Sequence, residues 1–211
     1  PSSQNWQQCS FNNGLFTVTS LSAAAATSTD GISWTARSVV STSYTNTVYG
    51  AGLFVRGAGS TAYTSPDGIN WAQRTAGSTT WGGIAYGNGV FVMVGGTGSA
   101  VTSPDGINWT ARTLPTITVW RTVIFSSGLF IATGNGNVGA SSLDGITWTV
   151  FSLPSSGEWK IAVARGTGLI VNKYASTEMS RHYLNTTYNP ETQFIVPRAI
   201  SADINSWIRA L

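Results

Sequence analysis

The chain has 211 residues with a net charge of +3; 42% are hydrophobic, 11% aromatic and only 9% charged. Disorder is excluded, because it needs low hydrophobicity and high charge, and no apolar run approaches the roughly 18 residues of a membrane-spanning helix. The 11 Lys and Arg are scattered, against a nucleic-acid patch, and the single cysteine, Cys9, excludes an intrachain disulfide.

The chain opens Pro1-Ser2-Ser3-Gln4 with no basic, apolar leader, so no signal peptide is expected in it. A leading Pro also fits a chain that has lost its initiator Met. From Trp6 onward one pattern recurs. An aromatic (Trp6, Tyr44, Trp81, Trp120, Trp159) opens each unit. A hairpin glycine and an apolar run follow: Gly14-Leu-Phe-Thr-Val, Gly52-Leu-Phe-Val-Arg, Gly89-Val-Phe-Val-Met, Gly128-Leu-Phe-Ile-Ala and Gly168-Leu-Ile-Val-Asn. A box closes four of the units: Ser28-Thr-Asp30-Gly31-Ile-Ser-Trp34, Ser65-Pro-Asp67-Gly68-Ile-Asn-Trp71, Ser103-Pro-Asp105-Gly106-Ile-Asn-Trp109 and Ser142-Leu-Asp144-Gly145-Ile-Thr-Trp148. In the fifth unit His182 is expected in the Ser slot and Leu184 in the Asp slot.

Each unit reads as four short strands, as in Trp81–Tyr86, Val90–Val94, Ala100–Ser103 and Asn108–Arg112. Turns such as Gly87-Asn88-Gly89 suit tight hairpins. The continuously apolar second strand fits a sheet covered on both faces. Four strands in about 40 residues is the period of a propeller blade. The expectation is an all-β, five-bladed β-propeller of four-stranded antiparallel blades. Its units are 5–42, 43–80, 81–119, 120–157 and 158–195, with a closing or docking segment at 196–211.

The four boxes resemble the Asp-box, or BNR, repeat of sialidase and virion propellers, in a shortened form whose Gly directly follows the Asp. The resemblance implies a turn between the third and fourth strands of each blade. Asp30, Asp67, Asp105 and Asp144 are therefore expected to accept backbone N–H groups of their own turns rather than to hold a metal. Trp34, Trp71, Trp109 and Trp148 are expected to pack beneath them. Arg37, Arg74 and Arg112, three residues after their Trp, read as repeat-equivalent surface residues.

Catalysis is not expected. Four of the eight acids sit in boxes, leaving Glu158, Glu178, Glu191 and Asp203. Glycosidases need two facing carboxylates. Arg56, Arg121 and Arg165 come from different strand types and form no sialidase-like arginine triad. One His and one Cys support neither a Ser-His-Asp triad nor a zinc cluster. No cofactor and no metal are expected.

The C-terminus, Phe194-Ile-Val196-Pro197 and then Trp207-Ile208-Arg209-Ala210-Leu211, resembles the endings of many bacteriophage tail and tail-fibre proteins. The resemblance implies a protein made in the host cytoplasm and carried in the virion tail. Its expected partners are other tail proteins, further copies of itself, and a bacterial surface glycan; nucleic acid and membrane insertion are not expected. In propellers the ligand face is usually opposite the boxes. The residues expected there are Tyr44, Trp81, Trp120, Arg121, Glu158, Trp159 and Lys160. The rings would stack on sugar, Trp120 and Trp159 most exposed because a cation follows each. The competing role for these rings is to fill the seams between blades. A purely structural virion protein and a cellular propeller lectin are the alternative readings of the whole chain.

Overall fold

The computed structural model describes residues 6–20, 24–38, 45–77, 79–116, 118–165, 168–173 and 179–183, with side chains described as far as Leu153. Among these residues every regular element is a strand. The first sheet contains β1 (Trp6–Asn12), β2 (Leu15–Ser20), β3 (Ala24–Ser28) and β4 (Thr35–Ser38) in that spatial order. The second contains β5 (Val48–Gly50), β6 (Leu53–Ala58), β7 (Thr61–Ser65) and β8 (Ala72–Thr75). The third contains β9 (Trp81–Gly87), β10 (Val90–Gly95), β11 (Ser99–Ser103) and β12 (Thr110–Thr113). The last is five-stranded: β13 (Trp120–Ser126), β14 (Leu129–Ser142), β15 (Thr149–Arg165), β16 (Gly168–Lys173) and β17 (Met179–Tyr183).

Neighbouring strands pair antiparallel, and the hairpins joining first to second strands are tight. Asn88 (φ 47°) and Gly89 (φ 77°) both take the left-handed region, as do Asn13 and Gly14. Two positive φ values in a two-residue loop define the type I′ turn, whose twist matches that of the strands.

Two boundaries and one box slot differ from the sequence expectation. The fourth strand of the third sheet starts at Thr110 instead of Asn108, because the Asn108 backbone N–H is taken by Asp105 in the turn. The boundary expected at 157/158 falls inside β15. Glu158 and Gly157 pair with Asn135 and Gly136 of β14, and Trp159–Arg165 then pairs with β16, so one strand serves two units. In β17 the register sets Arg181, not His182, opposite Ile170. Ser103 holds the corresponding place opposite Phe91. The expected closing segment lies outside the described residues.

The first strands of successive sheets lie against one another: β1 with β5, β5 with β9, and β9 with β13. Between β9 and β13 the backbones themselves touch. A Cβ added at Gly83 would lie 2.8 Å from Thr122 Cα and Val123 N. The core fills the seams between sheets. Val55, Ile84, Phe91 and Met93 form one buried cluster and Val92, Val94, Val123 and Phe130 another.

Candidate functional site

The four box turns are built alike. Asp105 Oδ1 accepts the N–H groups of Ile107 and Asn108, both at 2.8 Å. Ser103 Oγ donates to Asp105 Oδ1 and accepts the Gly106 N–H. Trp109 Nε1 donates to the Gly106 carbonyl at 3.1 Å. Asp30, Asp67 and Asp144 accept the corresponding pairs of N–H groups. These hydrogen bonds favour the ionised carboxyl; they hold Asp30, Asp67 and Asp105 well below the usual carboxylate range and lower Asp144 as well. The backbone N–H of Asn108 is the largest cause for Asp105, and that of Thr147 for Asp144, where burial opposes it. Among the described residues no group of three His, Cys, Asp or Glu is placed to hold a metal.

The box tryptophans are half-buried, with Trp34 and Trp109 tilted against Phe16 and Phe91 of their own sheets. Arg37, Arg74 and Arg112 reach back across the sheet, and each Nε donates to a threonine of the third strand: Thr27, Thr64 and Thr102. In the fourth unit Phe151 takes this slot and Gly139 faces it where Ala100 faces Arg112. A Cβ at Gly139 would collide with the Phe151 ring.

The opposite ends of the sheets form the connector rim. Its backbone bonds cross the seams: Trp81 N donates to Gly59 O at 3.0 Å, and Gly98 N to Thr118 O at 2.9 Å. Asn46 holds the Ile84 backbone on both sides: its Nδ2 donates to Ile84 O and its Oδ1 accepts the Ile84 N–H. Within the last sheet, at the same rim, Thr118 Oγ1 donates to Asn135 O at 2.8 Å, and Arg121 Nε donates to Asn135 Oδ1 at 3.0 Å. Arg121 is thereby held half-buried at the rim.

Two aromatics expected at this face are not available to a ligand. Trp81 is 6% exposed and Trp120 is fully buried. Each packs into the seam with the preceding sheet, Trp81 near Ala62 and Ala76, Trp120 near Ala100 and Leu114. The expectation that Trp120 is among the most exposed rings is therefore corrected. An apolar surface of this size is stabilised more by burial than by standing at a wet rim. Their indole N–H groups have no hydrogen-bond partner. Tyr44 and the side chains of Glu158, Trp159 and Lys160 lie outside the described residues.

Sequence reasoning did not single out Asn135, Thr118, Asn46 or the burial of Arg56. The signal for Arg56 is its slot. Four residues after the hairpin glycine the other described units have Val18, Met93 and Ala132.

No family model and no curated protein matches the chain. Among solved structures the chain is similar to one in a nidogen/laminin complex, at 12% identity, with a TM-score of 0.71, 85% of this chain and 76% of the other covered. It is also similar to YCF48 from Cyanidioschyzon merolae, at 14% identity and TM-score 0.67, covering 92% of this chain and 73% of that one. The computationally designed Ika8 protein matches at 8% identity and TM-score 0.65 over 85% of this chain, which spans 58% of the designed one. At such identities the likeness is one of fold, and the chain has the all-β, four-stranded-sheet architecture of a β-propeller.

Proposed function

We propose that the chain is a five-bladed β-propeller acting as a non-catalytic receptor-binding module of a bacteriophage tail, recognising a bacterial surface glycan. The fifth blade is read from the end of β15 with β16 and β17, which continue the pattern of first, second and third strands. The observation that carries the functional reading is the Arg121–Asn135–Thr118 cluster. It is a rim group of fixed donors and acceptors, held by bonds between β13 and β14 within the last sheet and tied to the third sheet by the Gly98 N–H on Thr118 O. Such groups suit the hydroxyls of a neutral sugar, and the chain's low charge disfavours a partner drawn by long-range electrostatics. The four described aspartates are all occupied by their own turns, which supports a binding role over acid catalysis. Single-site affinity for sugar is weak, so several copies per virion would raise it by about 10²–10⁴ through avidity.

A purely structural tail subunit is the second reading, and the burial of Trp81 and Trp120 favours it by removing two stacking surfaces. Binding of the labelled protein to an array of bacterial surface polysaccharides separates the two. The proposal expects binding that falls when Arg121 and Asn135 are both replaced by Ala. The structural reading expects no binding, and a virion interface covering the rim.

A further inference from the structure

Among the described residues six large apolar side chains are exposed, and five of them stand at the box end: Phe11, Ile32, Ile107, Leu143 and Ile146. Ile32 is 85% exposed and Leu143 71%. Single exposed apolar residues are ordinary, but a collection of them on one end of a fold marks an interaction surface. The repeat produces this collection, because each box carries an isoleucine directly after its turn glycine: Ile32, Ile69, Ile107 and Ile146. Phe11 joins it from the end of β1, where it pairs with Phe16, whose other partner Ser28 opens the first box. The end is continuous from sheet to sheet. A Cβ added at Gly68, Gly106 or Gly145 would meet Leu15, Val55 or Val92 of the preceding sheet. Asn88 Nδ2 donates to Leu143 O at 2.9 Å, which fixes the backbone beneath the exposed Leu143 side chain.

We propose that the box end is a docking face for a basic protein segment that carries aliphatic side chains. Charge selects this occupant. All four aspartates with described side chains stand in the boxes, and no Lys, Arg or His occurs in any of the four. The hairpins of the first four units at the same end, 12–15, 50–53, 87–90 and 126–129, carry no charge. The turn bonds keep the carboxylates ionised. Two copies meeting box end to box end would set aspartate against aspartate. Nucleic acid and an anionic bilayer surface are repelled for the same reason. A cationic segment is attracted, and its apolar side chains cover Ile32, Leu143 and Ile146. The turns are already fixed by their own bonds, so little conformational freedom is lost on docking. The face lies at the opposite end from Arg121 and Asn135 and is independent of the glycan reading.

The probe is a short fluorescent peptide of alternating Leu and Lys, titrated into the full chain and followed by anisotropy. Two control peptides replace Lys by Glu, or Leu by Ser. The proposal expects the Leu/Lys peptide to bind more tightly than either control, and its binding to weaken as salt screens the charges. The net charge of +3 repels a cationic peptide in general, so this binding requires the local acidic face. Ile32→Ser combined with Leu143→Ser should weaken it about tenfold or more. Both side chains face solvent, so the double variant should keep its fold. Hydrogen exchange of the wild type with bound peptide is the second readout, with protection expected at 28–34 and 142–148 and none at Arg121 or Asn135. The proposal is overturned if the Leu/Lys peptide does not bind, if the Leu/Glu peptide binds as well, or if protection appears away from the boxes. A wild-type dimer in sedimentation that the double variant abolishes also overturns it, since the face is then a contact between copies.

Discussion

Asp105 holds Asn108 twice: Oδ1 accepts its backbone N–H at 2.8 Å and Oδ2 its side-chain amide at 2.8 Å. The turn is closed by one residue's side chain within four positions of sequence. Asp105→Ala removes these acceptors from a largely exposed turn, and the expected loss is about 1–2 kcal/mol. Asn108→Ala removes only the side-chain bond and should cost less. Chemical denaturation of both variants measures the order, and a larger loss for Asn108→Ala would contradict the assignment.

The same bonds set an acid response. The box aspartates bind their protons less readily when folded than when unfolded, with an ordinary value of 3.8. Their contribution to stability is therefore full above that value. It starts to fall as the pH drops below about 4 and is lost once the pH passes the depressed folded values. Melting temperature measured against pH should be flat for these groups in the neutral range and decline in acid. In Asp67→Asn the acid slope should be shallower than in the wild type; an unchanged slope would count against the turn bonds as its cause.

Gly83 and Gly89 separate two uses of glycine. Gly83 sits against the backbone of β13, which cannot move aside, so Gly83→Ala should cost about 2–3 kcal/mol by overpacking. Gly89 has φ +77° and nothing within 4 Å of an added Cβ, so Gly89→Ala should cost only about 1 kcal/mol of backbone strain. Equal losses in urea unfolding would show that the first strands are not in close contact.

Trp120 is a seam residue with no exposed surface. Trp120→Ala should lower stability by about 3–5 kcal/mol or prevent folding. Intrinsic fluorescence of Trp120 should resist quenching by iodide in the native protein. Ready quenching, assigned by its absence in Trp120→Phe, would restore the ring to the surface.

The box turns were legible in the sequence because all their bonds run within a few residues, so Ser, Asp, Gly and Trp at fixed spacing define the geometry by themselves. The hairpins were legible for the same reason. The fate of Trp81 and Trp120 was not, since a ring at the head of a strand faces solvent or the next sheet according to how the sheets stack. The continuous β15 was missed because its pairing partners, Asn135 and Gly136, are about twenty residues away. The Arg121–Asn135 bond was likewise hidden, being a contact between strands that only register brings together.

The central claim is that the box turns hold the scaffold while the connector rim binds a bacterial glycan. The direct measurement is adsorption of the folded protein to bacterial cells, comparing wild type, Arg121→Ala with Asn135→Ala, and Asp105→Ala. The account predicts that the rim variant loses adsorption while keeping its fold, and that Asp105→Ala adsorbs normally at temperatures where it is folded. Adsorption lost in folded Asp105→Ala and retained in the rim variant would contradict it.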